Sequence, residues 1–282
     1  MARDTGFPAS DAENDFARLR RRQAASRLAG WLRRAPDDVN LILPFADVVK
    51  VLGKVGERRL GLQVVRLETI VGTVDRTRDF DRYFRPTSGK MRQRWERLAT
   101  AQRRGESVPP IDLWRVGELH FVEDGHHRVS IAFARRQRTI DAYVTEVLTR
   151  IPAEGITHRG DLLVKDFERI FAERVPLPSS ARDQLTVADP WQWAVLGEAV
   201  EAWGYRLMQR EVSYLDRATV GERWFTEEYV PVVRMLRQAE ILPGRSDAEA
   251  YLWVVGERYR LLRRHTWDSD VVDTLAARAP KN

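Results

Sequence analysis

Leu119-His120-Phe121-Val122-Glu123-Asp124-Gly125-His126-His127-Arg128-Val129-Ser130-Ile131-Ala132 passes from an apolar run, through a single glycine, into a helix-like run. The pattern predicts a strand over His120 to Glu123, a tight turn at Gly125, and a helix over Val129 to Arg136. Backbone N–H groups at a helix N-terminus attract anions, and an adjacent arginine offers a planar two-pronged donor. Asp124, Gly125, His126, His127 and Arg128 therefore form a candidate phosphate or carboxylate site, with Ser130 added as a hydroxyl in the first helical turn. A second reading stays open: the two imidazoles cap the turn and pack against strands, and Arg128 is a surface charge. Adjacent histidines do not chelate one metal easily and no acidic partner stands at ligand spacing, so no metal site is expected here.

Outward from the turn, Ile111-Asp112-Leu113-Trp114-Arg115-Val116 and Gly61-Leu62-Gln63-Val64-Val65-Arg66-Leu67 carry the β-branched, alternating pattern of strands. Gly117-Glu118 reads as a hairpin turn, Gly89 to Arg103 as a helix, and Thr139 to Val147 as a closing strand. Residues 11–34 read as an amphipathic helix with Phe16, Leu19, Ala24, Leu28, Trp31 and Leu32 on its apolar side, ended by Pro36. Pro44 to Leu52 reads as a short helix stopped at Gly53.

Beyond Ile151 the strand signal disappears. Asp161 to Arg174, Trp191 to Glu211, Gly221 to Glu240 and Asp247 to His265 show helical periodicity. Their aromatics, Trp191, Trp193, Trp203, Tyr205, Trp224, Phe225, Tyr229, Tyr251, Trp253 and Tyr259, are expected to form a core. Ser246-Asp247-Ala248-Glu249 has the form of a helix cap. The expected organisation is a helical extension over 1–58, an α+β domain over 59–150 and a helical domain over 151–282, whose role is open and could include docking a protein partner.

The chain has 282 residues and no cysteine, which removes disulfides, thiolate metal sites and cysteine nucleophiles. No apolar run is long enough to cross a membrane, and the first ten residues lack a signal-peptide core, so a cytoplasmic protein without membrane partners is expected. Net charge is +6, and only five of the 47 basic residues are lysine. Arg85 to Arg104 holds seven basic residues against the single acid Glu96. Lys90, Arg92, Arg94, Arg97, Arg103 and Arg104 are accordingly the candidate nucleic-acid contacts, against the alternative of a solvated helix face.

The ordered set Val108-Pro109-Pro110-Ile111-Asp112-Leu113, then Phe121 to Ala132 with its Gly-x-x-Arg turn, preceded by Val65-Arg66-Leu67-Glu68-Thr69-Ile70-Val71, resembles the N-terminal domain of the ParB and sulfiredoxin superfamily. The resemblance covers about residues 60–147 and implies a mixed nucleotide-binding domain whose Gly-x-x-Arg turn, here Gly125, His126, His127 and Arg128, holds nucleotide phosphates. Sulfiredoxin activity needs a reactive cysteine and is excluded by the composition. The ParB branch implies nucleotide binding and DNA association, although the aromatic-rich C-terminal helices depart from its DNA-reading domain. The free-serine kinase branch, whose turn also reads Asp-Gly-His-His-Arg, implies phosphoryl transfer from a nucleoside di- or triphosphate with Mg²⁺. It makes Glu68 or Asp75 the candidate base, each of which reads equally well as a surface acid. A nucleotide sensor without turnover is a third possibility.

Overall fold

A computed structural model of the chain describes residues 5–32, 41–262 and 269–279. It divides into two compact units, residues 1–163 and 164–282, a boundary that falls within the first turn of a helix at Asp161–Arg174. The first unit is mixed α and β, and the second is helical.

The first unit is built on one six-stranded sheet. Its strands are β1 (Leu43–Pro44), β2 (Lys54–Arg66), β3 (Ile70–Thr73), β4 (Ile111–Val116), β5 (Leu119–Asp124) and β6 (Thr139–Thr149), in the order β1-β3-β5-β4-β6-β2. β4 and β5 pair antiparallel across the two-residue turn Gly117-Glu118, whereas β3 runs parallel to β5 and β4 parallel to β6. The segment set apart in the sequence as an N-terminal extension thus supplies β1 and the start of β2. β2 is longer than the alternation suggests because register shifts near Gly56 and Gly61 let it stay paired with β6 around a bend.

Helices α1 (Pro8–Leu32), α2 (Phe45–Leu52), α3 (Arg92–Arg103) and α4 (His126–Ala134) complete the unit. The helix read from Gly89 opens as a 3₁₀ turn, Gly89–Met91, before α3 proper. α4 begins three residues earlier than the apolar pattern indicates, so both histidines and Arg128 lie in its first turn and Ser130 in its second. One buried cluster joins Ile111, Leu113, Val122, Val144 and Val129 between sheet and α4. A second joins Phe16 and Leu19 of α1 to Trp95 and Ala99 of α3 and Ile131 of α4. Ala24, Leu28 and Leu32, assigned from sequence to the apolar side of α1, are exposed. Arg33, Arg34 and Pro36 lie outside the described residues.

The second unit carries α5 (Asp161–Arg174), α6 (Ser179–Arg182), α7 (Gln192–Glu211), α8 (Arg217–Arg223), α9 (Val230–Gln238), α10 (Asp247–Leu262) and α11 (Ser269–Ala276). The single helix expected over Gly221 to Glu240 is interrupted by a π-helical stretch, Trp224–Tyr229, in which Val230 N–H donates to the Phe225 carbonyl. Pro231 explains it: with no N–H to return to the carbonyl four residues back, the chain changes register just before the proline. Trp193, Trp224, Phe225, Tyr229 and Tyr251 are buried as expected, and Trp224 Nε1 donates to Tyr251 Oη at 2.9 Å. Trp191 and Tyr205 are exposed instead. Ser246 and Glu249 form the reciprocal cap, Glu249 N–H on Ser246 Oγ and Ser246 N–H on a Glu249 carboxylate oxygen. Residues 263–265, the end of the last helix read from sequence, and the side chain of Tyr259 lie outside the described residues. Among the described residues no helix is long and apolar enough to cross a membrane.

Candidate functional site

β5 ends at Asp124, and Gly125 turns the chain into α4 with φ +98° and ψ +18°. Only glycine adopts that backbone without strain, and there is no room for more. A Cβ at Gly125 would stand 2.3 Å from Ile111 Cγ2 of β4. The turn is therefore pressed against the sheet, and no side chain caps the first turn of α4.

Arg128 does not project into solvent. Its guanidinium donates to the carbonyls of Pro109 and Pro110 at 2.7 and 2.8 Å and ion-pairs with Asp124. It clamps the Pro-Pro entry of β4 onto the glycine turn, so Arg128 and Asp124 act first as the frame of the site. His126 is buried, 2.6 Å from Thr73 Oγ1 at the end of β3 and stacked on Phe80 at 5.9 Å. His127 meets the same ring edge-on at 5.7 Å. Burial pushes the pKa of both imidazoles down to about 4, aided for His127 by the neighbouring Arg94 guanidinium. Both are neutral at pH 7. The His127 Nδ1 is buried and, among the described residues, has no hydrogen-bond partner.

Arg94 supplies charge that the histidines do not, beside Arg76, whose guanidinium is ion-paired with Asp79 at 3.1 Å. Arg76, just beyond β3, and Arg94 of α3 line a cavity of about 50 Å³ with Gly125, His126 and His127. No local pattern marks Arg76 as a site residue, and Arg94, a candidate nucleic-acid contact by its place in the basic run, lines this cavity instead. Asp75 stands at the rim, its Oδ1 3.8 Å from His126 Nε2 and its side chain exposed. On the other side of Arg128 a cleft of about 220 Å³ is lined by Gln102, Pro109, Gln137, Thr139 and Asp141. Gln102 Oε1 is buried there with no partner among the described residues.

Other predicted residues lie elsewhere. Glu68 is exposed in the 3₁₀ turn Leu67–Thr69 that precedes β3, paired with Arg66 at 3.3 Å. Because β3 runs parallel to β5 with Ile70 opposite His120, Glu68 sits at the far end of the sheet from the glycine turn, more than about 16 Å of strand away. It cannot serve as a base at the turn. Ser130 is fully buried and accepts a hydrogen bond from Trp95 Nε1 at 2.9 Å, which removes it from the anion-binding set. Arg103 is buried against Asp11 and Asp15 of α1, a structural pairing and not a nucleic-acid contact. Arg92 is exposed but ion-paired with Glu96 at 2.6 Å. Lys90, Arg97 and Arg104 are exposed.

Among the described residues no three His, Cys, Asp or Glu side chains converge as a metal cluster. No family model, curated protein or solved structure matches the chain.

Proposed function

We propose that the first unit binds a nucleoside di- or triphosphate at the Gly125 turn, in the manner of the ParB-like domains it resembles, and that the protein is a nucleotide-binding, DNA-associated regulator. The observation that supports this is a pair of adjoining chambers divided by Arg128. The smaller is lined by Arg76, Arg94, Asp124 and the uncapped start of α4 at Gly125 to His127, which supports a phosphate as its ligand. The larger offers Gln102, Thr139 and Asp141, with one buried acceptor lacking a donor, a surface for the flat polar edge of a nucleobase. Mg²⁺ would enter with the nucleotide and neutralise phosphate charge, and the carboxylates at hand to meet it are Asp124, which lines the smaller chamber, and Asp75 beside His126. Lys90 in the turn before α3, Arg97 on it and Arg104 at its end are exposed and recur at intervals of seven residues, which supports sequence-independent contact with DNA phosphates.

The test is calorimetric titration with ATP, ADP and CTP in the presence of Mg²⁺. Arg94→Ala should weaken binding about 10- to 100-fold, the scale of one charge-assisted hydrogen bond. Arg128→Ala is a poor probe because it also releases the Pro109 and Pro110 carbonyls. Absence of binding by the wild-type chain refutes the reading. The position of Asp75 beside His126 favours a second reading, phosphoryl transfer to a free amino acid such as serine. It requires nucleotide consumption with serine that is lost in Asp75→Asn, and binding without turnover leaves a sensor.

A further inference from the structure

α3 meets three surroundings. Arg94 reaches the phosphate-sized cavity and Gln102 the adjoining cleft. Trp95, Ala99 and Arg103 form the side on which α1 lies. The contact with α1 is made of groups that are costly to separate. Asp11 and Asp15 are 3 % and 4 % exposed, and both converge on the Arg103 guanidinium, Asp11 at 3.6 Å and Asp15 in direct contact. Phe16 meets Trp95 edge-on at 5.6 Å, flanked by Ala12 and Leu19. Trp95 then passes the contact onward, since its Nε1 bonds Ser130 of α4, the helix whose first turn walls the cavity.

Asp15 keeps Arg18 and Asp11 keeps Thr5 whichever way α1 moves, but the buried Arg103 guanidinium tolerates no partial separation, because it would lose the two carboxylates that offset its charge in the interior. α1 is therefore either seated on α3 or off it. When it is off, α3 loses the packing that holds Arg94 and Gln102 toward their two chambers. We infer that α1 is a strap whose docking on α3 sets the affinity of the nucleotide site, and that a bound nucleotide in turn tightens the strap. The inference rests on the nucleotide reading above. Linkage makes the effect reciprocal, so the factor by which docking strengthens binding equals the factor by which binding suppresses undocking.

Hydrogen exchange of the full chain, with and without saturating ATP, ADP or CTP plus Mg²⁺, reads both directions. The expected result is at least tenfold slower exchange in peptides from α1 with the nucleotide that titrates, and no change in peptides from α7 and α10. In Asp11→Asn/Asp15→Asn, α1 should exchange faster and the same nucleotide should bind at least tenfold more weakly. Should that variant fail to fold, Phe16→Ala opens the same contact from its apolar side. Exchange of α1 that is indifferent to a nucleotide the protein does bind overturns the strap alone, as does wild-type affinity in a variant with α1 undocked. No binding of any of the three nucleotides overturns the nucleotide reading and the coupling with it.

Discussion

Gly125→Ala tests whether the turn is as tightly built as its geometry states. Two costs add. A residue with a Cβ at φ +98° pays about 1–2 kcal/mol for the left-handed backbone. The new methyl would also stand 2.3 Å from Ile111 Cγ2, 2.8 Å from Ile111 Cβ and 3.0 Å from Arg128 Nε. Ile111 is fully buried in the middle of the sheet and cannot swing aside, so overpacking adds about 1–3 kcal/mol. A loss of about 2–5 kcal/mol follows for the first unit. At about 2–4 °C per kcal/mol for a unit of this size, a loss of about 3 kcal/mol lowers its Tm by about 6–12 °C. Hydrogen exchange of peptides from β4 and α4 across a urea series isolates the first unit, and peptides from α7 and α10 serve as the internal reference. Gly125→Asn separates the two costs, because Asn tolerates the left-handed backbone but carries the same Cβ. It should recover about 1 kcal/mol of the loss and no more. A loss under about 1 kcal/mol for the alanine variant would refute the close approach to Ile111.

Three further outcomes follow from the same geometry. Ser130→Ala leaves Trp95 Nε1 buried without an acceptor and should cost about 1–3 kcal/mol, and the double variant with Trp95→Phe should cost less than the two single losses together. Strict additivity would show that the pair is not coupled. His120, His126 and His127 are each held down to about 4 by burial, against 6.5 in the unfolded chain. Their neutral forms contribute stability that is whole above pH 6.5 and is lost as pH falls toward 4, each histidine adding at most about 1.4 kcal/mol per pH unit. Urea midpoints that stay flat from pH 7.5 to 5 would contradict this. Replacing Lys90, Arg97 and Arg104 with Gln should lower DNA affinity across unrelated sequences and flatten the log–log salt slope by about 1 per phosphate contact removed. An unchanged slope would mean the stripe does not meet DNA.

The sequence made the strand, turn and helix around Gly125 legible because a lone glycine between an apolar run and a helical run marks a turn in a backbone conformation that other residues adopt only with strain. It also carried the β4–β5 hairpin, α5 and the Ser246 cap, all of which are set by neighbours a few residues apart. What it could not carry is proximity across the fold. Arg76 and Arg94 are separated by 17 intervening residues and from the turn by about 30 more, and nothing in their local pattern distinguishes them from the other arginines of a chain this rich in arginine. The parallel pairing of β3 with β5 makes the difference: it carries Asp75 and Arg76 to the end of the sheet where α4 begins and leaves Glu68 at the other. The same blindness ran the other way for Arg103 and Ser130. On a helical wheel each is another basic or hydroxyl side chain, and only the packing of α1 and α3 shows that one closes a buried ion pair and the other accepts from an indole. Charge density along a chain therefore says little about which cations are available: on α3 it counts Arg94, which faces a cavity, together with Arg103, which the two acids of α1 have already consumed.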